Sequence, residues 1–283
     1  MRKNLLRRAT AALLGAAAIA LMAPAGTASA SGYAVLGSGS TLLPGERLVA
    51  YRSALTMQED GNLVLHLCAD AGGACGPVIW NSGTWGHPGA YAYMQEDGNL
   101  VVYRKGGSRP SDALWSSRTW GHPGAYLFLH ADATMLIEAP SGTPPTGWTS
   151  DTGKADAGAD VPQGERGAVI TSARSLDPGH WLDSGTTWLV NQPDGNLVLY
   201  RKRDGAAIWS SGTWGRPRSS LSLSQSPLWP ALGLHRIDNG SRTWSTPLKG
   251  RAGIHGVAQS DGNFVIYTDD GTALWNTGTW GRT

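Results

Sequence analysis

The chain has 283 residues, 41% of them hydrophobic and 16% charged, with a formal net charge of +2, a length that suits one large or two ordinary domains. Arg2, Lys3, Arg7 and Arg8 are the charged residues among the first thirty, so the remainder carries 19 Lys and Arg against 21 Asp and Glu, a formal charge of −2. That balance gives no basic patch for a nucleic-acid partner, and beyond residue 30 no apolar run is long enough to span a membrane.

Residues 1–30 read as a secretory signal peptide. A basic start is followed by an Ala/Leu-rich run from Ala11 to Met22 and by Ala28-Ser29-Ala30, an A-x-A cleavage site. Ordinary secretion is favoured over the twin-arginine route, because the residues around Arg7-Arg8 match that signal poorly. The expected location is secreted and extracellular. The composition, with 39 Gly and 13 Trp against 2 Phe, points to many short strands and tight turns. Cys68 and Cys75 are the two cysteines. In an exported chain they are expected to form a disulfide, since two thiols with His66 as the nearby His make a poor zinc site. No metal or other cofactor is expected.

Along the chain one polar pattern, Gln-x-Asp-x-Asn-x-Val-x-Tyr, recurs. It is complete at Gln95, Asp97, Asn99, Val101, Tyr103; at Gln192, Asp194, Asn196, Val198, Tyr200; and at Gln259, Asp261, Asn263, Val265, Tyr267. A fourth copy, Gln58, Asp60, Asn62, Val64, ends in His66. A second signature follows each: Trp80-Asn-Ser-Gly-Thr-Trp85-Gly, Trp115-Ser-Ser-Arg-Thr-Trp120-Gly, Trp209-Ser-Ser-Gly-Thr-Trp214-Gly and Trp275-Asn-Thr-Gly-Thr-Trp280-Gly, with weaker echoes at Trp148 and Trp244. Together they define six units, starting at positions 58, 95, 130, 192, 225 and 259.

The step of 62 between the third and fourth starts separates two groups of three, and Pro44-Gly45 stands before Gln58 as Pro178-Gly179 stands before Gln192. This is a tandem duplication. Its expected parts are a domain over 31–152, a linker over 153–162 and a second domain over 163–283. Within a unit, Tyr91–Gln95 and Asn99–Tyr103 are expected strands joined at Asp97-Gly98, a hairpin turn. Each unit is about four short strands, too small to bury a core alone. Three units around an axis would bury Trp80, Trp115 and Trp148 at one centre and Trp209, Trp244 and Trp275 at the other.

Residues two apart on a strand share a face, so Asn99, Val101 and Tyr103 can converge with Gln95 and Asp97 on a shallow pocket. Its contents suit a sugar: carboxylate, amide and phenol groups for hydroxyls, and Val for a ring face. A plain hairpin would also repeat Asp, Gly and alternating apolar residues. It does not explain Gln and Tyr at fixed spacing. Unit three (His130, Asp132, Thr134, Leu136, Glu138) and unit five (Gln225, then Ser-Pro-Leu-Trp-Pro) keep apolar residues and lose the polar set, which implies that the fold needs the strands and not the polar residues.

These repeats, with a Trp closing each unit, resemble the bulb-type (monocot) mannose-binding lectins over nearly all of residues 31–283. The resemblance implies an all-β chain of two tandem β-prism II domains, each with three four-stranded antiparallel sheets around a pseudo-threefold axis. It implies mannose-type glycans as partners, bound by the Gln, Asp, Asn, Val and Tyr of units two, four and six. It leaves open a strand-exchanged dimer and a pairing of the chain's own two domains. Unit one, with His66, is the weaker site, and units three and five are expected to be dead. The family's usual cysteine placement is absent, with Cys68–Cys75 as a local substitute. The Trp85-Gly-His87-Pro-Gly and Trp120-Gly-His122-Pro-Gly loops are additions, whose Trp is expected to pack between sheets rather than stand exposed beside a sugar. An enzyme is not expected, since no second unique carboxylate accompanies the motif Asp as a glycosidase requires. Tandem domains of this kind also resemble lectin-like bacteriocins, which kill related bacteria after binding surface glycans. A protein-interaction module on a lectin scaffold is the remaining alternative.

Overall fold

The computed structural model describes residues 32–69, 75–154, 168–216, 218–224, 230–248 and 254–283. The expected signal peptide, most of the expected linker and Gln225 lie outside the described residues. The fold is all-β, as expected, with a short 3-10 turn at Pro110–Asp112.

The Asp-Gly turns show why the hairpins close where they do. Gly61, Gly98, Gly195 and Gly262 all take positive φ, between 86° and 94°, a region that favours glycine. At Gly98 a Cβ would also lie 2.2 Å from the backbone oxygen of His122. In unit three Ala133 takes this place with φ 61°.

Unit one is a four-stranded antiparallel sheet of Arg47–Ala50, Ser53–Met57, Leu63–Cys68 and Cys75–Asn81. Unit two pairs Thr41–Leu42, Tyr91–Met94, Leu100–Tyr103 and Ala113–Ser116. Unit six pairs Val169–Thr171, Ile254–Ala258, Phe264–Thr268 and Ala273–Asn276. The expectation of four strands per sheet fails elsewhere. Unit three has three strands, Tyr33–Leu36, Tyr126–His130 and Met135–Glu138, with Thr149 bridged to Leu136. Unit five likewise has three, Ser219–Ser224, Ala231–Arg236 and Arg242–Pro247, with Leu176 bridged to Leu221. In both, a fourth segment approaches but makes a bridge in place of a ladder. Unit four has five, because Gly153–Lys154 adds in parallel to His180–Asp183 beside Thr187–Asn191, Leu197–Arg201 and Ala207–Ser210.

The outer strand of each sheet comes from the start of its group, in reverse order. Tyr33–Leu36 joins unit three, Thr41–Leu42 unit two and Arg47–Ala50 unit one. Val169–Thr171, Leu176 and His180–Asp183 repeat that threading in units six, five and four. One stretch of chain therefore ties three hairpins together, giving each group its prism. The register slips at Leu65/His66, Val102/Tyr103, Leu199/Tyr200, Leu234/His235 and Ile266/Tyr267. The extra residue lies on the Trp strand, a bulge that sharpens the local twist.

Each group has its own core, one around Leu55, Met57, Met94, Leu100 and Leu127, the other around Leu189, Leu199, Leu232 and Phe264. The tryptophans meet as expected. Trp80, Trp115 and Trp148 contact edge-on with ring centroids 5.3–6.4 Å apart, and Trp209, Trp244 and Trp275 at 5.8–6.3 Å. They are half-buried rather than sealed at the centre. An open hollow at the end of the first triad is lined by Trp115, Trp148 and Arg118. Cys68 and Cys75 form the expected disulfide.

The two groups touch. Trp181, Trp188 and Val190 are buried with the first group's core, and Tyr200 packs against it. Arg52 Nη1 lies 3.7 Å from Asp183 Oδ2, and Asp183 also pairs with Lys202. Burial pushes the Lys202 ammonium below its ordinary value, against the pull of Asp183.

Candidate functional site

The motif residues converge in each complete unit, and the hydrogen bonds divide them into two jobs. In unit two the exposed Asp97 accepts the Asn99 N–H on Oδ1 at 3.0 Å, an Asx turn. Asn99 is 8% exposed. Its Oδ1 accepts from Ser117 Oγ at 3.0 Å and from the Thr119 N–H at 3.2 Å. Ser117 Oγ also accepts the Leu100 N–H, and Thr119 Oγ1 donates to the Gly98 carbonyl. The Asn side chain therefore clasps the Asp-Gly turn to the loop after the Trp strand. Its NH2 group is the part this clasp does not use.

The same clasp joins Asn62 to Ser82 and Thr84, Asn196 to Ser211 and Thr213, and Asn263 to Thr277 and Thr279, with Oδ1 distances of 2.9–3.2 Å. This corrects, for the Asn alone, the expectation that the fold does not need the polar set. Unit three confirms the point by substitution: Thr134 Oγ1 donates to the Thr152 carbonyl at 3.2 Å, and Ser150 and Thr152 hold the turn as their counterparts do. The Ser/Thr-x-Thr of the Trp signature is thus the structural partner of the motif Asn, signalled by its own sequence repetition.

Gln and Tyr form the second pair. Nε2 donates to the phenolic oxygen at 2.9 Å for Gln95–Tyr103 and 3.0 Å for Gln192–Tyr200 and Gln259–Tyr267. The phenol accepts here, so its proton remains available to a ligand. Burial pushes the Tyr103 and Tyr200 phenols above their ordinary value, with the Gln bond pulling the other way. Both stay protonated at neutral pH. Val64, Val101, Val198 and Val265 are only 2–3% exposed, so each offers a narrow apolar strip between its polar neighbours.

In unit one His66 stands in the Tyr position, its Nδ1 3.2 Å from the Gly76 carbonyl. Burial lowers its pKa, the Gly76 bond opposing. Unit three lacks the set: the His130 ring lies tilted at 51° to Phe128 with ring centroids 4.4 Å apart, and Glu138 accepts from the Tyr126 hydroxyl. Among the described residues no cluster of His, Cys, Asp and Glu could hold a metal ion, and no helix is long and apolar enough to cross a membrane.

The second Trp of each signature overturns the packing expectation. Trp85, Trp120, Trp214 and Trp280 are 69%, 59%, 74% and 75% exposed. Their loops lie against the site turns: the His87, His122 and Gly281 N–H groups donate to the Asp60, Asp97 and Asp261 carbonyls at 2.8–3.0 Å. The aromatic is carried outward to solvent instead of inward between sheets.

Fold and site together define a double β-prism with repeated carboxylate, amide and phenol clusters. No family model matches the chain. Over 70 residues it is 44% identical to the mannose-specific lectin of Narcissus pseudonarcissus, which is 24% of this chain and 58% of that protein. An equal identity links it to the mannose-specific lectin of Narcissus tazetta, over 45% of that protein. The chain thus spans about half the length of these curated relatives. This likeness supports kinship with the bulb-type mannose-binding lectins over that stretch. Among solved structures it is similar to a monomeric monocot mannose-binding lectin from Gastrodia elata (31% identity, 42% of this chain, 98% of that one, TM-score 0.33). It is also similar to the mannose-specific agglutinin of snowdrop, Galanthus nivalis, complexed with methyl-α-D-mannoside (36% identity, 39% and 97%, TM-score 0.31). A third is the two-domain fetuin-binding lectin of Scilla campanulata (27% identity, 86% and 100%, TM-score 0.31).

Proposed function

We propose that the chain is a secreted, multivalent lectin for mannose or mannose-containing glycans, with binding and no catalysis as its activity. The observation that carries this reading is the contrast between units. Units two, four and six keep an outward Asp, a clasped Asn and a hydrogen-bonded Gln–Tyr pair, whereas unit three keeps the same hairpin without the Gln, Asn and Tyr. Asp Oδ2 and Gln Oε1 would accept from sugar hydroxyls, while the Asn NH2 and the Tyr hydroxyl would donate. A bond to the carboxylate contributes about 1.5–3 kcal/mol and a neutral one about 1 kcal/mol. Each site is shallow and individually weak. Several on one chain raise avidity on a multivalent glycan by about 10²–10⁴ where geometry lets them engage together. Residues 1–30 would be removed on export, and 31–152 and 163–283 would be the two lectin domains. A glycan array with the purified mature protein tests the reading: mannose-terminated glycans should be retained, and an array without mannose-type hits would refute it.

A further inference from the structure

The faces of units one and four do not point away from one another. Gln58, Asn62, Val64 and Asn81 of unit one line a cleft of about 230 Å³ together with Gln192 and Asp194 of unit four. We propose that these faces are the two walls of a single clamp, which holds one pyranose of a glycan chain between them. Units two and six remain open sites for sugar ends. The proposal rests on the lectin reading and adds to it which sites act together.

The clamp follows from four observations. First, size: the cleft is smaller than the roughly 300–1,000 Å³ that encloses drug-sized ligands. That scale suits a single sugar ring. Second, the walls have complementary chemistry. Asp194 supplies the carboxylate acceptor, while Gln58, Asn62 and Asn81 supply amides. Asn62 Oδ1 is committed to the clasp and Asn81 Oδ1 accepts the Gly83 N–H at 2.9 Å, so both offer their NH2 donors. Asn81 lies opposite Val64 in the register where units two and four carry Ser116 and Ser210 and unit six carries Asn276.

Third, the walls are fixed at close range. A Cβ on Gly76 would lie 2.9 Å from Gly205 Cα, and one on Gly179 would lie 2.8 Å from the Ile79 carbonyl oxygen. Backbones of the two groups therefore approach where side chains would keep them apart. The Arg52–Asp183–Lys202 cluster and the packing of Trp188 and Tyr200 on the first core hold the same boundary. Fourth, the departure of unit one from the motif falls at this boundary. His66 bonds to the carbonyl of Gly76, the residue in contact with Gly205. Unit one gave up its Tyr where the second group closes over it.

Isothermal titration calorimetry with an α-linked mannobiose, on the full chain carrying Asp97→Ala and Asp261→Ala, tests the clamp. That background removes the open sites of units two and six. The clamp predicts one ligand per chain, with affinity reduced about tenfold by Asp194→Ala on one wall and also by Gln58→Ala on the other. Combining the two should cost little more than the worse single change. Asn81→Ser, which installs the residue of units two and four, should weaken binding without disturbing the fold, checked by near-UV circular dichroism. Two ligands per chain, or a unit-four affinity indifferent to both Gln58→Ala and Asn81→Ser, overturns the clamp alone. An unaltered chain that binds no mannoside overturns the lectin reading and the clamp together.

Discussion

Replacing Asn99 separates what the turn needs from what a ligand needs. Asn99→Ala removes the acceptor of the Thr119 N–H and of Ser117 Oγ, at a position 8% exposed. A buried donor left unsatisfied costs about 1–3 kcal/mol, and a lost neutral hydrogen bond about 0.5–1.5 kcal/mol. Ser117 and Thr119 can still pair with each other, since their hydroxyls lie 2.7 Å apart, so the sum should sit near 2–3 kcal/mol. Asn99→Asp keeps the accepting oxygen and should recover most of that stability. It also replaces an NH2 donor by a second carboxylate beside Asp97, so unit two should lose its sugar all the same. Urea denaturation followed by tryptophan fluorescence, paired with calorimetry on mannoside, reads both effects. If Asn99→Ala unfolds at the wild-type urea midpoint, the clasp is not structural. If Asn99→Asp binds sugar normally at unit two, the amide is not a ligand donor.

The exposed tryptophans predict a different signature. Trp120→Ala should leave the urea midpoint unchanged, because 59% of the side chain is exposed, yet lower affinity for mannan several-fold through lost stacking of about 0.5–1.5 kcal/mol; unchanged mannan binding would return the Trp loops to a passive role. His66 gives a pH dependence. Its folded pKa lies below 6.5 because burial disfavours the charged ring, so the unfolded chain takes up the proton first. The stability it contributes is complete above pH 6.5 and is lost as pH falls through 6.5 toward the lowered folded value. His66→Gln should flatten that part of the stability–pH curve, and identical curves for the two chains would contradict the assignment. Reducing Cys68–Cys75, seven positions apart in sequence, should cost about 2–3 kcal/mol at most by loop entropy. It should leave binding at units two and six intact, as measured by calorimetry in reductant.

Much of this architecture is legible in the sequence because it is local. Asp-Gly turns, alternating strands and the Trp spacing lie within one unit, and they predict the hairpins and both Trp triads. The outer strands were not legible. Tyr33–Leu36 pairs with Tyr126–His130 across nearly a whole group, and nothing nearby in sequence marks that partner. The same holds for the contact of Gly76 with Gly205, which brings units one and four together. At the site, the pattern identified the five side chains but not their division of labour. Asn99 reads as a ligand group from its repetition, while its oxygen is occupied by Ser117 and Thr119. Trp120 reads as core from its bulk, yet the loop carries it outward as its neighbour His122 bonds to the Asp97 carbonyl.

The most direct measurement is calorimetric titration of mannan and methyl α-mannoside into the chain carrying Asp97→Ala, Asp194→Ala and Asp261→Ala together. All three carboxylates lie at their turns, and each uses Oδ1 to accept the N–H of the following Asn. The account predicts that mannoside binding at units two and six is lost and that binding at the cleft between units one and four is weakened about tenfold, while the unfolding free energy falls by no more than about 1–2 kcal/mol per turn. Mannoside binding at wild-type affinity in that folded variant would contradict the account.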